Sequence, residues 1–564
     1  SENGTDYHYT HDTEGRVLSK RAWGKTLYEN HYDACGRLRE LITGEQKTSY
    51  GYDKAGRLAE VCASNGIRAQ YRYDRNGMQT EVLYGNGLRT SYTYDERSQL
   101  TGMETVLPGM SNPLFRGTYA YDANGCRISK TEQIRMDATT PLKVMETSYT
   151  YDAMERLTKE SLNGAVTSYG YDLAGNRITK STDGRTERYL YNNRNQLTEL
   201  HREKDVVRYS YDPAGNLKEE HSTEHKKIYF YDTYNRNTEI TGSDFTQKNH
   251  YDAEGYRYSI EENDKVTNFV YRRGIMLAEL DEAGNQAKTY TLGNEYAGHV
   301  SELNNSLTSE NKAASYYITD EQGSIRYMLD QSGEVQNYYQ YSAFGETIIS
   351  EETTPNRLRY NAQTEDELTG LYYLRARYYA PNIGRFTQED VIYNDGLNLY
   401  AYCNSNPVMY SDPSGFAKET CKSKVGGECG SESGSNSIDL PEYDGKTTHG
   451  VLVLENGKQV SFVSGNGDPR YTNYANNGHV EQKSAIYMND NNIKNATLYH
   501  NNVNGTCGFC NNMTSTFLPE GASLTVIPPS NAVPNNSRAV TIPKTYIGND
   551  KVPKISNNYK GETR

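Results

Sequence analysis

The sequence reads YDAMERL at residues 151–157, YDLAGNRI at 171–178 and YDPAGNL at 211–217. Asp and Gly between alternating apolar residues are typical of a β-hairpin turn. One hairpin buries too little surface to be stable alone, so the hairpins are expected to pair edge to edge in one sheet. The leading aromatic keeps a strict 20-residue period, at Tyr151, Tyr171, Tyr191, Tyr211, Tyr231, Tyr251 and Tyr271.

The composition fits a large β-sheet better than a conventional globule. The chain has 564 residues, with 52 Tyr and 48 Gly against 10 Phe and 1 Trp, and its mean hydropathy is -0.88. Tyr rings can fill one face of a sheet while the other face is solvated. We therefore expect a mainly β fold with tyrosines as structural rungs.

No run of 18 apolar residues occurs, so no membrane-spanning segment is predicted.

Charge divides the chain into two parts. The formal net charge is -13, which argues against a nucleic-acid binder along the whole length. From Ala417 onward, 14 Lys and Arg stand against 13 Asp and Glu, a net of +1, so the preceding residues carry -14. An acidic body joined to a near-neutral tail indicates two functions.

The repeats are followed by a Tyr-rich closing segment that ends in SDPSG and contains Asp390 and Asp412, 22 residues apart. Two neighbouring carboxylates do not both ionise easily, so a pair that shares a proton can activate water. The alternative is that both aspartates only form turns, because Asp before Pro and Gly is ordinary turn chemistry.

The YD units resemble the Tyr-Asp (YD, or RHS) repeats of bacterial polymorphic toxins and toxin-complex C proteins. The resemblance implies that residues 1–345 form a β-sheet ribbon spiralling into a hollow shell. Residues 346–416 are similar to the RHS-associated core, which plugs such shells.

The resemblance also implies self-cleavage. In this family the core cuts itself with two aspartates and releases the following toxin inside the shell. The pattern Pro-x4-Asp-Pro-x-Gly-Leu is met from Pro407 to Phe416, with Phe in place of Leu. The expected cut falls between Phe416 and Ala417, with Asp390 and Asp412 as the catalytic pair.

A Gly/Ser-rich stretch, residues 417–438, is predicted to be a flexible linker. The tail, residues 439–564, has short apolar strands and two short helical segments in the order β-β-α-β-α-β-β. We expect a small α/β domain with a mixed sheet flanked by helices.

The tail combines His-x-Glu with Cys-x-x-Cys. His479 and Glu481 are predicted to open one helix, and Cys507 and Cys510 to open a second. Three ligands, His479, Cys507 and Cys510, would leave the fourth position of a Zn²⁺ ion open, which is typical of a catalytic site. Glu481 could then move protons, as in the zinc-dependent base deaminases. A structural zinc with His500 as fourth ligand and a redox cysteine pair remain open alternatives.

Three blocks of the tail, NYANNGHVEQKSAIYMNDN, LYHNNVNGTCGFCNNMTSTFLPEGASLTVIPP and AVP, resemble the DddA-like bacterial toxins, which deaminate cytosine in double-stranded DNA. The resemblance implies that His479, Cys507 and Cys510 hold zinc and that Glu481 is the general acid and base. It further implies that Phe509 enters the base stack and that three residues lie near the substrate, namely Asn473, Tyr443 and His500.

The sequence thus predicts a secreted interbacterial toxin: an RHS shell, a self-cleaving plug and a caged cytosine deaminase that acts on DNA in the target-cell cytoplasm. The implied partners are target-cell DNA, a cognate immunity protein and secretion-system or N-terminal delivery components. Two alternatives stay open. The deaminase could act on single-stranded DNA, RNA or free nucleotides, or the chain could be a structural or adhesive YD-repeat surface protein with a zinc-stapled tail.

Overall fold

The chain forms two compact units, Ser1–Ser435 and Asn436–Arg564. The structure is a computed structural model, and it describes residues 6–110, 112–136, 140–302, 312–391, 398–420, 449–454, 459–464, 479–490, 493–500, 514–515, 518, 522–527 and 544–547.

Within the described residues of the first unit, 32 strands form one sheet, here called the ribbon. Every strand pairs antiparallel with the next one along the chain, for example β2 with β3 and β31 with β32. The strands are β1 His8–His11, β2 Val17–Ala22, β3 Lys25–Tyr32, β4 Leu38–Thr43, β5 Gln46–Tyr52, β6 Leu58–Ala63, β7 Arg68–Tyr73, β8 Gln79–Tyr84, β9 Arg89–Tyr94, β10 Leu100–Val106, β11 Phe115–Tyr121, β12 Arg127–Ile134, β13 Lys143–Tyr151, β14 Leu157–Leu162, β15 Ala165–Tyr171, β16 Arg177–Thr182, β17 Arg185–Tyr191, β18 Leu197–His201, β19 Val206–Tyr211, β20 Leu217–His221, β21 Lys226–Tyr231, β22 Asn237–Thr241, β23 Thr246–Tyr251, β24 Arg257–Glu262, β25 Lys265–Arg272, β26 Ile275–Leu280, β27 Gln286–Leu292, β28 Tyr296–Glu302, β29 Lys312–Thr319, β30 Ile325–Asp330, β31 Val335–Tyr341 and β32 Thr347–Glu352.

The Asp-x-x-Gly pattern forms the turns of the ribbon, as the sequence predicts. At Asp33 the side-chain Oδ1 accepts hydrogen bonds from the backbone N–H groups of Cys35 and Arg37, at 2.9 and 3.0 Å. Gly36 has φ of 80°, the left-handed conformation that Gly adopts without steric cost. The Asp carboxylate therefore caps the turn, and Gly lets the chain reverse.

The repeat tyrosines join each unit to the one before it. The Tyr52 hydroxyl donates a hydrogen bond to the backbone oxygen of Leu38 at 2.7 Å, and Tyr231 does the same to Leu217 at 2.9 Å. The guanidinium of Arg37 lies 4.5 Å from the centre of the Tyr52 ring, within cation–π range. These contacts recur with the 20-residue period, so one sequence unit specifies both a turn and its link to the previous turn.

The mainly β fold is therefore confirmed. Tyrosines two positions before the repeat tyrosine are the buried rungs; Tyr50 and Tyr189, for example, are 5% and 2% exposed. They pack with aliphatic residues of other strands, such as Leu41 and Leu200, in two large apolar clusters.

The segment after the ribbon has its own small sheet. Its strands are β33 Thr364–Asp366, β34 Leu371–Leu374, β35 Arg377–Ala380 and β36 Arg385–Phe386, followed by the paired strands β37 Tyr410–Ser411 and β38 Glu419–Thr420. Short 3₁₀ turns lie at Tyr360–Ala362 and Cys403–Ser405.

This closing segment is tied to the ribbon by a buried ion pair. Arg257 of β24 donates two hydrogen bonds to Asp366, at 2.6 and 2.7 Å, and both side chains are 0% exposed. The Tyr373 hydroxyl accepts the backbone N–H of Arg257 at 2.8 Å. The position of the closing segment is thus fixed by polar contacts as well as by packing.

The second unit is a five-stranded sheet with one described helix, α1 Val480–Asp490. Its strands are β39 His449–Leu454, β40 Gln459–Val463, β41 Asn495–His500, β42 Ser523–Ile527 and β43 Lys544–Ile547, in the sheet order β40-β39-β41-β42-β43. Strands β41 and β42 are parallel, and the other neighbours are antiparallel. Ala485 and Met488 of α1 pack with Leu452, Leu498 and Val526 in its core. The small mixed α/β unit agrees with the prediction, and the start of its second predicted helix, at Cys507, lies outside the described residues.

Candidate functional site

The two aspartates of the closing segment come together around one arginine. Arg377, the first residue of β35, has its Nη2 atom 2.7 Å from Asp390 Oδ2 and 3.6 Å from Asp412 Oδ2. The two carboxylate oxygens are therefore at most 6.3 Å apart. All three side chains are buried, with exposures of 6%, 5% and 2%. One guanidinium lies between two carboxylates, so the site carries a formal charge of minus one when both are ionised.

Asp412 also shapes the loop that contains the predicted cut. Its Oδ1 atom accepts the Gly415 N–H at 2.8 Å and the Ser414 hydroxyl at 3.1 Å. Gly415 has φ of 74°, and a Cβ atom there would lie 2.4 Å from the backbone oxygen of Leu374. No larger residue fits at this position without displacing backbone, which accounts for the glycine in SDPSG.

The predicted scissile bond, Phe416–Ala417, lies in the loop of a hairpin. Strand β37 precedes the loop and β38 follows it, and Ser411 pairs with Glu419. The Phe416 N–H donates to the Ser414 hydroxyl oxygen at 3.2 Å. Chain on both sides of the bond is therefore held in place.

Arg377 is a residue of this site that no sequence motif indicates. Its Nε atom donates to the backbone oxygen of Gly415, its Nη1 atom donates to that of Leu399 at 3.0 Å, and its guanidinium stacks 3.6 Å from the Phe386 ring centre. The available signal was an arginine in an otherwise apolar Tyr-rich strand, because a buried arginine requires an anionic partner. Only the fold reveals that the partners are the two aspartates.

A cavity of about 360 Å³ adjoins the aspartate pair. Three successive turns of the ribbon form one wall, at residues 234–236, 254–256 and 273–275. The closing segment forms the rest, at residues 375–377, 388–391, 413, 414 and 416. Asp390 and Phe416 both line the cavity, so it gives water and solutes a route to the site.

In the second unit, helix α1 positions the His-x-Glu pair. The backbone oxygen of His479 accepts the Lys483 N–H at 3.0 Å, so His479 stands at the start of the helix. Glu481 lies in the first turn and is 4% exposed. A carboxylate there is stabilised by the positive end of the helix dipole.

His500 ends strand β41, opposite Gly450 of β39, and is 2% exposed. Burial lowers the pKa of His500 to about 4, so its imidazole is neutral near pH 7. The other predicted residues of this site lie outside the described residues, namely Cys507, Phe509, Cys510, Asn473 and Tyr443.

Of the three predicted zinc ligands, His479 lies within the described residues. An imidazole at a helix start, together with the two thiolates that the sequence predicts, would be a donor set that suits Zn²⁺. The buried carboxylate of Glu481 lies two residues after His479. Within the part of the chain that the structure describes, no three metal-ligating side chains come together.

Comparison with known proteins identifies both units. Residues 2–115 and 110–408 match the Teneurin YD-shell family. The chain belongs to the Teneurin YD-shell family. Residues 430–541 of this YD-shell chain match the SCP1.201-like deaminase family, so it also carries a deaminase domain.

The YD-shell chain is similar to several bacterial toxins. Double-stranded DNA deaminase toxin A of Burkholderia cenocepacia (strain H111) is 37% identical over 247 residues, covering 42% of this chain and 17% of that protein. The tRNA3(Ser)-specific nuclease WapA of Bacillus spizizenii is 38% identical over 175 residues, 29% of this chain and 7% of that protein. Toxin subunit YenC2 of Yersinia entomophaga is 37% identical over 95 residues, 16% of this chain and 10% of that protein. The chain thus spans less than a fifth of each relative.

Solved structures agree with the fold. A structure of the Photorhabdus luminescens Tc holotoxin pore superposes with a TM-score of 0.56 at 20% identity, covering 74% of the YD-shell chain and 24% of that chain. A TcdB2-TccC3-TEV crystal structure gives a TM-score of 0.50 at 19% identity, covering 73% and 24%. In the described ranges of the YD-shell chain, no helix is both long and apolar enough to cross a bilayer.

Proposed function

We propose that the chain is a secreted interbacterial toxin whose C-terminal domain, released by self-cleavage, converts cytosine to uracil in double-stranded DNA. The observation that carries the proposal is that Glu481, two residues after His479, is buried in the first turn of α1, within a domain of the deaminase family. The relative named as a double-stranded DNA deaminase toxin supports DNA as the substrate.

Hydrolytic deamination consumes one water and releases ammonia. The oxygen of the water bonds to C4 of cytosine, the bond from C4 to the exocyclic amine breaks, and the carbonyl of uracil forms. His479, Cys507 and Cys510 would hold Zn²⁺, which when bound lowers the pKa of a bound water to about 7. Glu481 takes a proton from the attacking water and passes it to N3 of the ring; it then takes the remaining proton from the hydroxyl on C4 and gives it to the leaving amine, which departs as ammonia.

The substrate contacts are proposed from the sequence. Phe509 would enter the base stack, while Asn473, Tyr443 and His500 would lie near the flipped base. Because burial lowers the pKa of His500 to about 4, its imidazole is neutral near pH 7 and would add no charge beside the base.

Self-cleavage would use the aspartate pair of the closing segment. One carboxylate takes a proton from water, the oxygen bonds to the carbonyl carbon of Phe416, and the carbon–nitrogen bond to Ala417 breaks. The other carboxyl group protonates the departing amine of Ala417. The shared contact of Asp390 and Asp412 with Arg377 supports this pairing.

Containment within a shell would protect the producing cell until delivery. The domain limits proposed for this arrangement are a shell at 1–345, a plug at 346–416, a linker at 417–438 and a toxin domain at 439–564. The proposed partners are target-cell DNA, an immunity protein and delivery components, and the proposed site of action is the target-cell cytoplasm.

The deaminase is tested with the full chain and with residues 417–564 alone, both produced with zinc. Each is incubated with double-stranded and single-stranded oligonucleotides that contain cytosine in varied contexts, and uracil is detected by uracil-glycosylase cleavage. We expect uracil in the duplex, and none with Glu481→Gln although that variant keeps its zinc. Asn489→Ala, on the exposed side of α1, is the matched control and should remain active.

Other outcomes redirect the proposal. Uracil in single-stranded DNA alone, in RNA or in free nucleotides would change the substrate class but keep the deaminase. Zinc retained with no activity on any of these substrates would contradict the enzyme and favour a structural zinc site.

A further inference from the structure

Arg375 occupies a backbone conformation that its residue type disfavours. It lies in the turn between β34 and β35 with φ of 62°, in the left-handed region. Gly or Asn would adopt this conformation at lower cost. A long side chain at such a strained position suggests a role for the side chain itself.

The side chain joins three parts of the unit. Its Nε atom donates to the backbone oxygen of Gly274 at 2.8 Å, at the tip of the turn between β25 and β26. Its Nη1 atom donates to the side-chain oxygen of Gln363 and to the backbone oxygen of Pro413. A Cβ atom on Gly274 would lie 3.3 Å from Arg375 Nε, so the guanidinium packs tightly against the ribbon turn.

Three consecutive residues of the turn contact three consecutive carbonyl groups of the loop that carries the predicted cut. The Arg375 guanidinium donates a hydrogen bond to the backbone oxygen of Pro413, and the Arg377 guanidinium donates one to that of Gly415. Between them, the N–H of Ala376 donates to the oxygen of Ser414 at 3.2 Å. Arg375 in addition reaches the ribbon, through Gly274.

We propose that Arg375 is a positioning residue that links docking of the closing segment on the ribbon to cleavage of the Phe416–Ala417 bond. Its guanidinium is oriented to donate to the Pro413 oxygen only when the turn at Gly274 packs against it and accepts its other hydrogen bond. The loop then presents the scissile carbonyl to Asp390 and Asp412. The inference rests on the proposed self-cleavage.

The test uses the full chain produced by cell-free translation, with the rate of appearance of the fragment ending at Phe416 followed by denaturing gels and intact mass. We expect Arg375→Gly to cleave about 100-fold more slowly, the loss typical of a misplaced reacting group. Because Gly adopts a left-handed φ without strain, the thermal unfolding midpoint of the first unit should not fall together with the cleavage rate. Arg375→Lys, which can reach Gly274 or Pro413 but lacks the fork that serves both, should cleave at an intermediate rate.

Glu155→Gly is the matched control, because Glu155 also has a left-handed φ, 61°, in a ribbon turn away from the cavity. Added guanidinium at millimolar concentration should partly restore cleavage by Arg375→Gly, and methylammonium should not. Cleavage of Arg375→Gly at the wild-type rate would overturn the inference while leaving self-cleavage intact. An uncleaved wild-type chain would instead remove the proposed self-cleavage, and the role of Arg375 with it.

Discussion

Replacing Asp366 by Asn should destabilise the first unit by about 3–5 kcal/mol, because it leaves a buried guanidinium without its counter-charge. The Arg257–Asp366 pair is bidentate, at 2.6 and 2.7 Å, and neither side chain is exposed to solvent. Asn has nearly the shape of Asp, so the substitution removes charge and one acceptor without opening a cavity. The loss should therefore report on electrostatics rather than on packing.

The control is a pair of the same chemistry at the surface. Asp33 lies 2.6 Å from Arg37, and their side chains are 21% and 26% exposed. Such pairs contribute about 0.2–1 kcal/mol, so Asp33→Asn should have a small effect. Urea unfolding of the full chain, followed by the near-ultraviolet circular dichroism of the buried tyrosines, measures both. Equal shifts of the two unfolding midpoints would refute the reasoning.

The double variant Arg257→Met, Asp366→Leu tests the cause. An apolar pair of similar volume avoids both the unpaired charge and its desolvation, and such replacements are often neutral. The double variant should therefore be more stable than Arg257→Met alone or Asp366→Leu alone. A double variant as unstable as the sum of both singles would mean that the hydrogen bonds to neighbouring residues, not the charge pair, stabilise this contact.

Three further variants probe the turns, the loop and the buried charges. Tyr231→Phe removes the hydrogen bond to the Leu217 oxygen and should cost about 1 kcal/mol in urea unfolding. Gly415→Ala should slow self-cleavage about 100-fold on gels, because its Cβ would meet the Leu374 oxygen at 2.4 Å. Burial raises the pKa of Asp320 to about 6. The stability that protonated Asp320 contributes is therefore fully present below about pH 4 and is lost as the pH rises through 6. Asp320→Asn should then raise the thermal midpoint near pH 7 and leave it unchanged near pH 4; equal midpoints near pH 7 would contradict the shift.

The fold could be predicted because its determinants are local. The turn at Asp33 needs only Asp, Gly and the residues between them, and the Tyr52 hydroxyl reaches an oxygen 14 residues back in the chain. The turn and the tyrosine contact therefore each lie within two consecutive repeat units. Any stretch of two units therefore contains the information for the sheet.

The site around Arg377 could not be predicted in the same way. Its contacts with Asp390 and Asp412 span 13 and 35 residues, and they arise only when the closing segment folds back on itself. The spacing of the aspartates suggested a pair that shares a proton. The structure adds a guanidinium between them, which the sequence pattern did not indicate. In the second unit α1 was predictable from its periodicity, and the donors proposed beside it come from segments far apart in sequence.

These sequence separations also bear on the order of events. Asp390, Asp412 and Arg377 belong to different segments, so an unfolded closing segment cannot assemble the pair. If the proposed cleavage uses these groups, it must follow folding of the closing segment, and if Arg375 acts as inferred, it must also follow docking on the ribbon at Gly274. A chain cut only after docking would separate its toxin domain after the sheet of the first unit has formed. For a caged enzyme that acts on DNA, this order would prevent release before containment.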